Sequence, residues 1–219
     1  MSDSSKASFT SMRVTKRNGT QEPVSLDKIV RAVSRLCGGL PEVDALRVAQ
    51  RTISGLYDGA STRELDSLSI QTAAGLVAEE PQYARLAARL QAAYVDKEVR
   101  GEGVEAFSQS VAKGYELGLI NDRLATWVAK HSRKLNASIR PERDAEFEYF
   151  GLRTVYDRYL IKHHTTRNVI ETPQYFFMRI ACALAKTVGE ALELYRLFSS
   201  LEYIPSSPTL FNAGMSREQ

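Results

Sequence analysis

Cysteine is nearly absent from this 219-residue chain, which has Cys37 and Cys182 alone. They stand far apart and form no CxxC, so neither a structural zinc site nor a disulfide framework is available. Both lie in apolar helical surroundings and read as buried, reduced thiols. No apolar run approaches the roughly 18 residues that span a bilayer, which excludes a membrane-crossing helix. The opening "MSDSSKASFTS" lacks the apolar core of a secretory signal, and residues 1–11 read as a disordered tail. With so few cysteines and no leader, the expected location is the cytoplasm. Net charge is also scarce. Lys plus Arg is 29 and Asp plus Glu is 26, giving +3, too balanced to point to nucleic acid. His131, His163 and His164 make no metal-ligand spacing with either cysteine and read as surface or loop residues. There is no GxxxxGK[ST] loop, GxGxxG, HExxH or serine nucleophile elbow. A nucleotide held here would therefore depend on side-chain cations and hairpin backbone amides.

What is present is helical. Hydrophobic residues make up 43% and charged residues 25%, ordinary proportions for a globular protein. The exception stands at the start. Residues 12–17 and 20–24 flank Asn18-Gly19, a strong signal for a type I′ hairpin in which both central residues take positive φ. Pro23 marks the second arm as an edge or a strand end. Ser25 then reads as an N-cap, with Val24 and Ile29 at staple spacing. Leu26, Ile29, Val30, Val33 and Leu36 follow at helical spacing. A second helix is expected over 42–57. Ser61-Thr62-Arg63-Glu64 is a capping box opening a third, and Pro81 suits the first turn of a fourth. "RGEG" (100–103) is a natural seam. Beyond it, helices are expected around Phe107, after Asn121, over 144–160, from Thr172-Pro173, and over 189–200. "HHTTRNVIET" reads as a loop or short hairpin.

The hairpin stretch "VTKRNGTQEPVSLDKI" concentrates Lys16, Arg17, Glu22 and Lys28. Neighbours on a strand point to opposite faces, so Lys16 and Arg17 share a ligand only through the twist at the turn. Lys28, one turn into the first helix, points back toward that helix's N-terminus, where the macrodipole favours anions. Two readings stay open on these residues: a solvated basic turn, which is common, and one wall of a pocket for a polyanion.

Three landmarks, "VTKRNGTQEPVSLDKI", "YDGASTREL" and "YARLAARLQAAYVDKEV", resemble the ATP-cone. This is the regulatory nucleotide-binding domain at the N-terminus of many ribonucleotide reductase large subunits. The resemblance spans residues 12–100 in order. It implies a β-hairpin cap over a four-helix bundle, binding ATP as activator or dATP as inhibitor, with room for Mg. It assigns phosphate and base contacts to Lys16, Arg17 and Lys28, and a nucleotide contact to Glu22. Thr62 falls at a helix start near the nucleotide, and Lys97 on a phosphate contact. Asp66 stands where some members carry a histidine that helps tell ATP from dATP. An unpaired carboxylate there would repel phosphate.

"DAEFEYFGLRTVYDRYLI", "ETPQYFFMRIACALA" and "YIPSSPTLFNAG" resemble the helical region of the same enzymes that leads into a ten-stranded α/β barrel. The resemblance implies a helical region over 101–200 and an incomplete barrel start over 201–219. It matches Ser207 to a contact with the substrate diphosphate. Without it, "PSSPT" reads as a Pro-limited turn before a strand. The family's radical-forming and redox cysteines match no residue here, so no catalytic residue is expected in the chain, which should be inactive alone. Implied partners are the remaining catalytic part of the large subunit and a radical generator, either a metal-containing small subunit or adenosylcobalamin. A nucleotide-dependent homo-oligomer is also implied. Two other readings compete. A cone-bearing transcriptional repressor would carry a four-cysteine zinc ribbon ahead of the cone, and none is present. A stand-alone helical interaction protein would have little use for a barrel strand, whose unpaired edge is an association hazard.

Overall fold

The computed structural model describes residues 12–16 and 18–217. The predicted tail and the site candidate Arg17 lie outside these residues. The chain divides into two compact units, up to Gln91 and from Ala92 onward. It is mainly helical, and no described helix is long and apolar enough to cross a membrane.

The first unit opens with strands β1 (Arg13–Thr15) and β2 (Gln21–Pro23), paired antiparallel with Val14 opposite Glu22. The turn differs from the expected type I′. Gly19 has φ 81°, and Asn18 is not among the positive-φ residues. Gly19 N–H donates to Lys16 O at 2.9 Å and Lys16 N–H to Thr20 O at 2.7 Å. Among the described residues of this loop, Gly19 is the left-handed one. Asn18 Oδ1 accepts from Thr20 N–H at 3.1 Å, which stabilises Asn18 without positive φ.

Helices α1 (Leu26–Ser34), α2 (Ala45–Ser54) and α3 (Thr62–Gly75) follow, and α4 (Gln82–Gly101) begins in this unit. Their starts are set locally. Ser25 Oγ accepts from Lys28 N–H at 3.3 Å, and Asp44 caps α2. Ser61 and Glu64 form the expected capping box on α3. The buried stripes of these helices supply the core: Ile29, Val33, Val48, Ile53, Ile70, Leu76 and Leu86 are all buried. Val14 is buried against Leu56 and Ala60, with Leu65 and Leu68 packed beside them. The hairpin is thereby seated on the start of α3. Cys37 is half-buried rather than fully buried, and burial raises its thiol pKa.

The second unit contains α5 (Phe107–Glu116), α6 (Asp122–Ser138), α7 (Tyr149–Thr154), α8 (Pro173–Leu184), α9 (Val188–Ser199) and α10 (Ser207–Asn212). Thr172 caps α8, with Pro173 in its first turn. Phe176, Phe177, Ile180, Ala181 and Cys182 on α8 are buried. An internal ion pair ties distant segments to this helix. Arg179 makes bonds of 2.9 and 3.0 Å to the two carboxylate oxygens of Glu171. Glu171 also accepts from Ile161 N–H, and Arg179 donates to Ala213 O at 2.8 Å.

Two expectations fail in this unit. The single helix over 144–160 is instead a 3-10 segment (Pro141–Glu146), then α7, then a π turn over Val155–Tyr159. Phe147 causes the break, since it leaves the helical path to be buried against Phe177 at a centroid distance of 6.1 Å. The barrel strand expected within 201–219 does not appear among the described residues. That stretch forms α10, which Pro208 favours because the first turn of a helix needs no proline N–H.

Candidate functional site at the hairpin

Antiparallel pairing decides which side chains share a face. Val14 lies opposite Glu22, and Val24 N–H donates to Met12 O at 2.9 Å. Alternation then puts Met12, Val14 and Lys16 on one face of the first arm, beside Glu22 and Val24 of the second. Buried Val14 marks this as the inward face. It is apolar at the base and charged toward the turn.

At the charged end, Lys16 Nζ is 2.8 Å from Glu22 Oε2, and Lys28 Nζ is 3.2 Å from the same oxygen. Lys16 arrives from β1, Glu22 from β2 and Lys28 from the first turn of α1. All three keep substantial solvent exposure. Bonds from Lys16 and then Lys28 hold the Glu22 carboxyl below the usual carboxylate range.

The start of α3 joins the same corner. Thr15 forms a parallel bridge to Ser61. Its N–H donates to Ala60 O at 2.8 Å and its hydroxyl to Gly59 O at 3.1 Å. Thr62 opens α3 one residue beyond that bridge. Asp66, four residues on, lies on the same helical face, is half-buried and is engaged by other groups. The first unit thus gathers Lys16, Glu22 and Lys28, with Thr62 and Asp66 on the neighbouring helix. Lys97 is exposed on the part of α4 that belongs to the second unit.

At the apolar end lies a cleft of about 340 Å³ lined by Met12, Val24, Leu26, Gln50, Ile53 and Ser54. Its volume falls at the lower end of small-molecule pockets, enough for an aromatic ring system. The sequence reading missed it, because its wall comes from three separated stretches. The signal available was alternation: Met12 and Val24 share the face of Lys16 and Glu22.

A family model described as "ATP cone domain" matches residues 12–98, and one described as "Ribonucleotide reductase, all-alpha domain" matches 145–218. The chain carries the N-terminal domains of the ribonucleotide reductase large-subunit family. The ribonucleoside-diphosphate reductase large chain of Schizosaccharomyces pombe is 37% identical over 95% of this chain and 26% of its own length. The large subunit of Vaccinia virus is also 37% identical, over 95% of this chain and 28% of its own. That of Arabidopsis thaliana is 34% identical over 95% and 26%. The chain therefore spans about a quarter of these relatives. The hairpin, the lysine pair and the cleft all fall within the ATP cone match.

In the reductase all-alpha region, Ser207 opens α10, exposed, with its hydroxyl 3.0 Å from the Tyr159 hydroxyl. Cys182 is buried, and burial raises its thiol pKa far above the usual range. A thiol so shifted is a poor nucleophile.

Proposed function

We propose that the cone is the nucleotide sensor of a ribonucleotide reductase large subunit, taking ATP as activating and dATP as inhibiting effector. The observation that carries this reading is the convergence of Lys16 and Lys28 on one anionic oxygen, on the same hairpin face as an apolar cleft. The cleft takes the base. Lys16 and Lys28 take phosphate; the family resemblance assigns phosphate contacts to Arg17 and Lys97 as well. Thr62 sits at the start of α3, where a helix N-terminus favours anions. Asp66, one turn further along α3, weakens the grip on phosphate unless its partners neutralise it, so dATP inhibition is set partly there. Mg, where it accompanies the nucleotide, offsets the phosphate charge.

The rest of the assignment follows the family. Ser207 contacts the substrate diphosphate, and residues 201–219 adjoin the catalytic barrel. Reduction of ribonucleotides to deoxyribonucleotides is then the work of the complete subunit with its radical generator, in the cytoplasm. Nucleotide binding acts by favouring one homo-oligomeric state over another, which requires different affinities for the two states. Calorimetric titration of the chain with ATP and dATP tests the reading. Saturable binding of both is expected, with a loss of at least about tenfold in Lys16→Ala/Arg17→Ala. No binding to the unaltered chain would refute it.

A further inference from the structure

Glu22 is the odd member of the site. A pocket for phosphates holds a carboxylate between its two lysines. Both ammonium nitrogens rest on the single oxygen Oε2, at 2.8 and 3.2 Å, and so lie no more than about 6 Å apart, close enough for both to bond oxygens of one phosphate group. Glu22 Oε2 therefore stands where a phosphate oxygen would make the same charge-assisted bonds.

We infer that Glu22 is a tethered counter-anion, which Lys16 and Lys28 exchange for the phosphates of the ligand, so that it sets how much anionic charge a ligand needs to enter. This rests on the nucleotide reading of the same site. Three arguments carry it. The carboxylate is attached to the strand facing both lysines, so its effective concentration beside them is high. A simple monoanion offers one charge against a competitor already in place. A polyphosphate offers several anionic oxygens at once and engages both lysines together, which is the class of ligand able to win the exchange. All three side chains are exposed enough for it to proceed without repacking the core. Released, the carboxylate stays at the mouth of the site as an acceptor for a donor group on the ligand.

Glu22→Gln keeps the shape and removes the charge. Calorimetric titration with ATP and with inorganic tripolyphosphate, which has no base, reads the exchange directly. Both ligands are expected to bind the variant about three- to tenfold more tightly than the unaltered chain. The gain should be largely lost when Glu22→Gln is made in a Lys28→Met background, because there one of the two bonds to be exchanged is already gone. If the unaltered chain binds ATP but the variant binds both ligands equally well or more weakly, the counter-anion role is overturned and the nucleotide reading stands. A gain of the same size in the Lys28→Met background also overturns it, since the carboxylate would then act only through general repulsion. If the unaltered chain binds neither ligand, the nucleotide reading itself fails.

Discussion

At the scale of single residues, charge placement matters more than charge number. Asp144 shows this away from the hairpin. Its Oδ1 accepts from Gln174 Nε2 at 2.8 Å, Gln174 Oε1 accepts from the Tyr195 hydroxyl at 2.7 Å, and that hydroxyl accepts from Arg140 N–H at 2.9 Å. Burial and the Asp96 carboxylate push Asp144 up to about 7, against the opposing bond from Gln174. Some of its surface stays accessible, yet protein atoms crowd the carboxyl on most sides, and crowding is what removes solvation. A carboxyl whose folded pKa is raised binds its proton more tightly in the native state. The contribution of Asp144 to stability is therefore fully present below about pH 4 and is lost as pH rises through about 7. Thermal unfolding at pH 5.5 and pH 8 should show the second unit less stable at the higher pH, by about 2 kcal/mol or roughly 7 °C. Asp144→Asn should flatten that difference. An unchanged slope in the variant would assign the pH dependence elsewhere.

At the scale of elements, the residue that holds a segment is often remote from it in sequence. The Arg179–Glu171 pair is 1% exposed on both sides, and between them the two residues hold Ile161 and Ala213 to α8. Breaking a buried pair leaves a bare charge, so Arg179→Met alone should cost about 3–5 kcal/mol. Arg179→Met with Glu171→Leu should recover part of that loss in denaturant unfolding, because no charge is then stranded. Equal losses would mean the pair acts only through its backbone bonds. This is also where legibility in the sequence ends. Caps at Ser25, Ser61, Asn121 and Thr172 could be read from it because a cap is made within four residues. The break at Phe147 could not, because the stacking partner Phe177 is supplied by tertiary packing. The helix over Ser207–Asn212 was missed because Ser-Ser-Pro serves equally as a turn or a helix start. The site divides the same way. Lys16, Glu22 and Lys28 lie within one short stretch, so their clustering could be read, while the cleft draws on α2 and could not.

At the scale of the whole molecule, the two units hold two different responses. The lysine pair and its cleft lie in the first unit, and the Asp144 chain lies in the second. A ligand that binds only the folded state stabilises by mass action, by about 2.7 kcal/mol at a hundredfold excess over Kd. ATP should therefore raise the melting transition of the unit that carries the hairpin, while pH moves the transition of the unit that carries Asp144. Calorimetric scans with and without ATP, at pH 5.5 and pH 8, separate the two. Lys16→Met should shrink the ATP shift and leave the pH shift intact, and Asp144→Asn should remove the pH shift and leave the ATP shift. Since the chain spans about a quarter of its reductase relatives, this readout tests the proposed nucleotide response without needing catalysis. A loss of both shifts in either variant would mean the two responses share one cooperative unfolding unit.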